Sequence, residues 1–461
     1  MKGDFSRDSF DPVQHYSRVL LQQGRVELDA DANERQSIQL HLLRTLAADL
    51  IGPYGGPGTG FEGRDRFDGQ QDPLKGDFVI AKGHYYVDGW LCENDKDVHF
   101  SGQPWWQPPA DALQPNRTYL AYLDVWERHV TAVEADFGRA GRATTLREVA
   151  LGGPDTATRA QVVWQVKVSL CEGLEALPQL PLTNANWPNW RDANWTTLQA
   201  QWQPPARGQL RASVSEPAAT AIDGACVASP TARYRGLENQ LYRVEVHHSG
   251  WADSNPPATF VWSRENGSVL FGIAGIAGAS VRLAQGWRDA RFGIVAGDIV
   301  EISDDRMLTT DAVGELRRVT AVDLDTLTIS VDRAVGNVQA SRRAIVRRWD
   351  HGQRAGEGGR APIAKDGALT ISEGVWLRLE DGLSIRFDPA AAGMGRQHYR
   401  SGDYWLIPAR VATGDILWPR ADDGKAEAVR PDGIVHHYAP LAVVKVGADG
   451  KVEVDSYPAR Q

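Results

Sequence analysis

Apolar residues recur along the chain with two different periods, and the change of period divides it. Over the first stretch Ile38, Leu42, Leu43, Leu46, Ala47 and Leu50 return at steps of three and four, which makes one stripe along an α-helix. Asp31 followed by Glu34 reads as a capping-box-like start and Gly52-Pro53 as a stop, so the helix is expected over 31–51. Ahead of it, Tyr16 to Leu28 reads as a short strand, a turn at Gly24 and a second strand. Beyond residue 76 the period falls to two. Segments 78–81 with 85–91, 119–126 and 162–168 read as strands, the first two as a hairpin. In Leu241-Tyr242-Arg243-Val244-Glu245-Val246-His247 the alternation is clean: Tyr242, Val244 and Val246 share one face, and Leu241, Arg243, Glu245 and His247 the other.

Breaks in this pattern suggest boundaries. Residues 1–52 form an arm plus helix, suited to docking or oligomerisation. A first β-domain follows at 77–175, then a Trp-, Pro- and Asn-rich linker at 176–208 with little periodicity. A second β-domain occupies 209–280, a small SH3- or OB-like barrel 281–346, and a C-terminal β-domain 362–461. The fold class expected is mainly β: several small β-sandwich or barrel domains in tandem, with one N-terminal amphipathic helix. Asn266-Gly267 and Asp381-Gly382 are hairpin-turn dipeptides.

Composition changes this picture in three ways. A net charge of -9 over 461 residues argues against a nucleic-acid partner, which needs clustered Lys and Arg. Three cysteines without C-x-x-C spacing make neither a disulfide framework nor a zinc site. They suit synthesis in the cytoplasm, as do a polar N-terminus and the lack of any apolar run of roughly 20 residues, so no membrane insertion is expected. Sixteen tryptophans are many. Trp90, Trp126, Trp164, Trp262, Trp376, Trp405 and Trp418 lie beside strand-like segments and are expected as core anchors. Trp187, Trp190, Trp195 and Trp202 lie in the irregular stretch instead, where they offer a glycan-stacking surface.

Candidate chemistry is sparse. Residues 55–60 are glycine-rich but lack the Lys-Ser/Thr of a phosphate loop. No G-x-S-x-G or H-E-x-x-H occurs. His247-His248, His436-His437 and His351 invite a metal reading, but neighbours on a strand point to opposite faces, so no metal or cofactor site is expected. Asp29-Ala30-Asp31 lacks the glycine and distant glutamate of a calcium loop. Asp124, Glu127, Glu134, Glu238, Glu245 and Glu265 lie in or near strands and keep a glycoside hydrolase with paired carboxylates as an alternative.

One resemblance runs through the chain. Phe10-Asp11-Pro12, His15-Tyr16, Val19-Leu20, Gln22-Gln23-Gly24-Arg25-Val26, Leu28-Asp29-Ala30-Asp31 and Asn33-Glu34 resemble the opening of a bacterial family, domain of unknown function 6519. Residues 122–128, 147–156, 234–244 and 402–410 resemble it as well. The N-terminal stretch is similar, more loosely, to the openings of phage baseplate and tail-fibre proteins. The resemblance implies a part of a phage-tail-like particle, contractile injection systems included, released from the cell inside the assembled particle. The partners it implies are other baseplate, fibre or cap proteins and further copies of the chain, a trimer being the common arrangement. It implies no catalytic residues. Tyr16, Leu20, Arg25, Glu34, Ile38, Leu42 and Leu46 are the residues expected to carry assembly. A glycan-binding or receptor-recognition protein is the first alternative and the hydrolase the second.

Overall fold

The computed structural model describes residues 1–136, 145–183, 186–205, 207–214, 233–287, 289, 291–310, 312–352, 362–390 and 395–456. With 34% strand and 15% helix, the protein is mainly β. Its strands do not form a tandem series. They form two units that exchange segments: Met1–Ser9, His129–Arg159 and Ala206–Gly433 make one, and Phe10–Arg128, Ala160–Pro205 and Ile434–Gln461 the other. This corrects the expected boundaries at 52, 175 and 362. A strand pattern says that a segment needs neighbours and leaves open which ones. No helix among the described residues is long and apolar enough to cross a membrane.

In the first unit, a five-stranded antiparallel sheet runs in the order Leu369–Thr370, Thr259–Ser263, Gln240–Val246, Tyr404–Arg410, Asp415–Ile416. A three-stranded sheet, Trp376–Arg378, Ser384–Phe387 and Leu210–Ser213, shares its core. Tyr242, Val244, Val246, Phe260, Trp262, Trp405 and Ile407 from one sheet meet Leu210, Ala212, Leu377, Ile385 and Phe387 from the other, which makes a β-sandwich. The Asp381-Gly382 turn has positive φ at both residues, 50° and 85°, as the dipeptide predicts.

A closed six-stranded barrel follows, wider than the expected 281–346. Its strands are Leu270–Ala277, Ser280–Leu283, Thr328–Val331, Glu315–Asp323, Ile299–Ser303 and Ile345–Trp349 in spatial order. Val281, Val300, Ile302, Val319, Ile329 and Val346 fill it. A smaller apolar cluster of Val261, Ile299, Leu316, Trp349 and Ala368 joins the barrel to the second face of the five-stranded sheet.

That second face is charged as well as apolar. Arg243 is 3% exposed and Glu245 8%. The two pair with each other, and Lys2 Nζ lies 2.7 Å from Glu245 Oε1. The Arg243 guanidinium stacks 3.5 Å over the Tyr404 ring and donates to the Met1 carbonyl and to Asn266 Oδ1, both at 3.2 Å. Asn266 donates in turn to the carbonyls of Met1 and Gly3. Residues 1–3 are thereby anchored in this unit, which separates them from the arm they were grouped with. Burial raises the Glu245 carboxyl, but Arg243 and Lys2 outweigh it and hold it at about 2. Nearby, Arg348 is 1% exposed, binds Glu265 at 3.0 Å and has its Nε 3.2 Å from Asp350.

In the second unit, the long strand Thr118–Val130 lies between Arg159–Ser169 and His437–Val446, with Val452–Ser456 outermost. Its pairing with His437–Val446 is antiparallel and shifts register between Pro440 and Ala442, a bulge at the one residue that cannot donate to the ladder. Asp124 ties its strand to the next one and to the residue before a third: Oδ2 accepts from Lys167 at 2.7 Å and Oδ1 lies 2.6 Å from His436 Nδ1, just ahead of His437–Val446. Burial pushes the Asp124 carboxyl up, yet these two partners leave it below its ordinary value. The expected hairpin at 78–91 is shifted: Gly83–Val87 pairs with Trp90–Asn94 around Asp88-Gly89, with φ of 47° and 80°.

The central strand is buried on both faces. Tyr119, Ala121, Leu123 and Val125 face a core with Phe61, Phe78, Tyr85, Trp164 and Val444. Leu120 points the other way, to Trp187, Trp190, Leu198 and Val443. Trp187, Trp190 and Leu198 come from a 16-residue helix, Trp187–Trp202, where a linker was expected. Pro188 falls in its first turn, where a missing N–H costs nothing, and Thr183 and Asn186 exchange hydrogen bonds just before it. Of the tryptophans expected in cores, Trp126, Trp164, Trp262 and Trp405 are buried, and Trp90, Trp376 and Trp418 are half-buried.

Two outcomes follow. Glu245→Gln leaves Arg243 buried without its counter-charge and should cost about 3 kcal/mol at neutral pH in chemical denaturation. Because the folded carboxyl titrates near 2, below the ordinary 4.5, its contribution is complete above pH 4.5 and fades as pH falls toward 2. The acid limb of the stability curve should therefore be shallower in Glu245→Gln than in the parent. Trp187→Ala, at a fully buried position, should cost about 3–5 kcal/mol. A loss under 1 kcal/mol would mean that the helix does not cover the sheet in solution.

Candidate functional site

The helix expected at 31–51 spans Asp29–Ile51 and ends at Gly52, whose N–H bonds to the Ala48 carbonyl. Asp31 lies in its first turn and Leu28 stands at the cap position, so the helix begins two residues earlier than expected and without the carboxylate cap. One side of the helix rests on the hairpin. Ala30 is 1% exposed and Ile38 2%, and the Arg44 guanidinium lies 3.3 Å over Trp90 while bonding Glu127 at 3.1 Å. A Cβ on Gly89 would strike the Arg44 carbonyl oxygen, and the φ of 80° there also calls for glycine.

The leucine stripe does not join this contact. Leu42, Leu43, Leu46 and Leu50 are 51%, 62%, 55% and 78% exposed. At about 100° per residue, these four span about 100° of the helix surface, opposite Ala30 and Arg44, with the buried Ile38 at the edge of the stripe beside Leu42. The helix is thus apolar on one face and docked by the other. The amphipathic pattern is real, but its stripe faces outward instead of into the chain's own core.

The arm ahead of it is equally uncovered. Asp11 caps a short 3-10 turn, Pro12–Gln14, and Phe10 contacts the His41 ring at 5.8 Å. From Tyr16 to Leu28 the backbone is extended, with a turn at Gly24 closed by Arg25 N–H on the Gln22 carbonyl at 3.3 Å. The turn is where the sequence puts it, but the segments beside it are not assigned to any sheet. Tyr16, Leu20, Leu21, Val26 and Leu28 are all exposed.

Of the seven residues expected to carry assembly, Tyr16, Leu20, Arg25, Leu42 and Leu46 lie exposed on the arm and helix, and Glu34 is half-buried. Ile38 is buried. Val13, Leu21, Val26, Leu28, Leu40, Leu43 and Leu50 are exposed beside them. The three- and four-residue spacing already pointed to Leu43 and Leu50. The arm residues carry no periodic signal.

The proposed stacking tryptophans are placed differently. Trp187 and Trp190 are buried, and Trp202 stacks on Tyr122 with ring centroids 3.7 Å apart and an interplanar angle of 6°. Trp195 packs partly buried beside them, so these rings join a helix to a sheet and offer no open platform. The carboxylates weighed for hydrolysis have protein partners. Asp124 binds Lys167, Glu127 Arg44, Glu238 Arg291, Glu245 Lys2 and Arg243, and Glu265 Arg348. Glu134 accepts from the N–H and hydroxyl of Thr131. A depression of about 370 Å³ in the second unit is lined by a single carboxylate, Glu172, beside Arg117 and Lys445.

No curated protein and no solved structure matches the chain. The model of one family of unknown function, DUF6519, matches residues 1–176 and 196–453, most of both units. The chain belongs to that family.

Proposed function

We propose that the protein is a structural component that assembles with other copies of itself through residues 13–50. One observation carries this reading. Eleven of the 26 exposed large hydrophobic side chains among the described residues fall within that stretch. Scattered exposed leucines are ordinary on a soluble surface, whereas a concentrated patch marks a contact. The occupant is a second copy because the seam is suited to itself. Leu43, Leu46 and Leu50, at steps of three and four, have the spacing with which helices interlock in bundles. An extended arm that lies outside any sheet ahead of the helix adds an edge that a neighbouring strand can complete. The likeness of residues 10–34 to the openings of phage baseplate and fibre proteins suggests a phage-tail-like particle as the setting, with other particle proteins as further partners.

Covering a leucine is worth roughly 2 kcal/mol, so four such residues repeated in each copy can sustain an oligomer. The experiment is light scattering behind size-exclusion chromatography on the full chain and on Leu43→Glu/Leu46→Glu/Leu50→Glu. Deleting residues 1–28 is unsuitable, because Lys2 and the carbonyls of Met1 and Gly3 hold the first unit together. The parent should run as a trimer or larger, and the triple variant as a monomer with an unchanged melting curve. A monomeric parent at tens of micromolar, or an oligomeric variant, would refute assembly through the seam.

A further inference from the structure

The two adjacent histidines at the end of the central sandwich strand do not follow strand alternation. His247 N–H donates to the Thr259 carbonyl at 2.8 Å, while Thr259 N–H donates to the His248 carbonyl at 3.2 Å. The Thr259 hydroxyl also accepts from His248 N–H at 3.1 Å. Two residues thus oppose one, the pattern of a β-bulge, which re-aims side chains that regular pleating would send to opposite faces. The two rings meet edge to face with centroids 4.5 Å apart.

A carboxylate completes the group. Asp366 Oδ2 lies 2.9 Å from His248 Nε2, and one ligand atom from each of His247, His248 and Asp366 falls within 4.8 Å of the others. The turn that carries Asp366 is braced independently. Arg333 donates to the Asp366 carbonyl at 2.8 Å, His351 Nε2 lies 2.9 Å from the Gly367 carbonyl, and Asp366 Oδ1 accepts from Ala368 N–H at 3.1 Å. His247 is buried, Asp366 half-buried and the His248 side chain 47% exposed, so the group is fixed from behind and reachable from solvent.

We infer that His247, His248 and Asp366 form a binding site for one divalent transition-metal ion, with zinc the best fit. Two imidazole nitrogens and one carboxylate oxygen are the donor set that zinc takes from three protein ligands, with water filling the fourth position. The ion would tie the bulge after Val246 to the turn at 364–368, two parts of the first unit far apart in sequence. This site does not depend on the assembly surface and lies on different elements.

The test is a calorimetric titration of the chelator-stripped full chain with Zn2+. One equivalent should bind, and saturation should raise the melting temperature. His248→Ala and Asp366→Asn should each weaken binding by about tenfold or more and abolish that rise. His84→Ala, at an exposed histidine outside the group, should bind as the parent does. Co2+ loading of the unaltered chain gives a readout that needs no variant: its visible spectrum should depart from that of the aqueous ion. Binding of well under one equivalent, wild-type affinity in both variants, or an aqueous Co2+ spectrum would show that His248 and Asp366 are only an ion pair.

Discussion

Pairing of charge inside the first unit is the condition on which its architecture rests. Strand Gln240–Val246 is central to the five-stranded sheet and has no solvent face to give its polar residues. One side, Tyr242, Val244 and Val246, is apolar and builds the sandwich. The other carries Arg243 and Glu245 into a region closed by the barrel and by residues 1–3. Removing such charges from water costs several kcal/mol each, and the cost is met only when each has a partner of good geometry. The placement of the barrel strands, of Asn266 and of the first residues is therefore constrained together. Arg348, with Glu265 and Asp350, repeats the same solution a short way along.

Local chemistry was legible in the sequence, and partnership was not. The alternation through 241–246 assigned both faces of its strand correctly. The helix stop at Gly52 and the positive-φ turn at Asp381-Gly382 follow from residue type alone. The helix at Trp187–Trp202 was missed because its stripe is made of aromatic residues with low helix propensity, surrounded by Pro and Asn that read as loop. The interleaving of the two units was missed for a different reason. Nothing in Thr118–Val130 indicates that its neighbour is His437–Val446 and not a nearby segment. At the candidate sites, the leucine stripe was visible, but its outward orientation was not, since periodicity identifies a face without saying what covers it. The histidine pair was set aside on a rule that holds for regular strands and fails at a bulge.

The chain thus spends its apolar residues in two ways. Most are consumed in cores whose neighbours lie far away in sequence. The arm and the N-terminal helix hold a reserve that their own unit does not bury, and the docking of that helix by a small contact around Gly89 and Arg44 keeps the reserve facing outward. Presenting a rigid apolar seam lowers the ordering cost that a flexible tail would incur on association.

The exchanged segments also set a schedule. Asp124 and His436, which meet across neighbouring strands, are 312 positions apart. During synthesis, the central strand of the second unit must wait for that length of chain, on the order of 15–60 s at ordinary elongation rates. In that interval most of the first unit, from Ala206 to Gly433, emerges and is free to collapse on itself. The four-stranded sheet of the second unit therefore closes only after residues 437–456 have been made, when most of the first unit has already been synthesised.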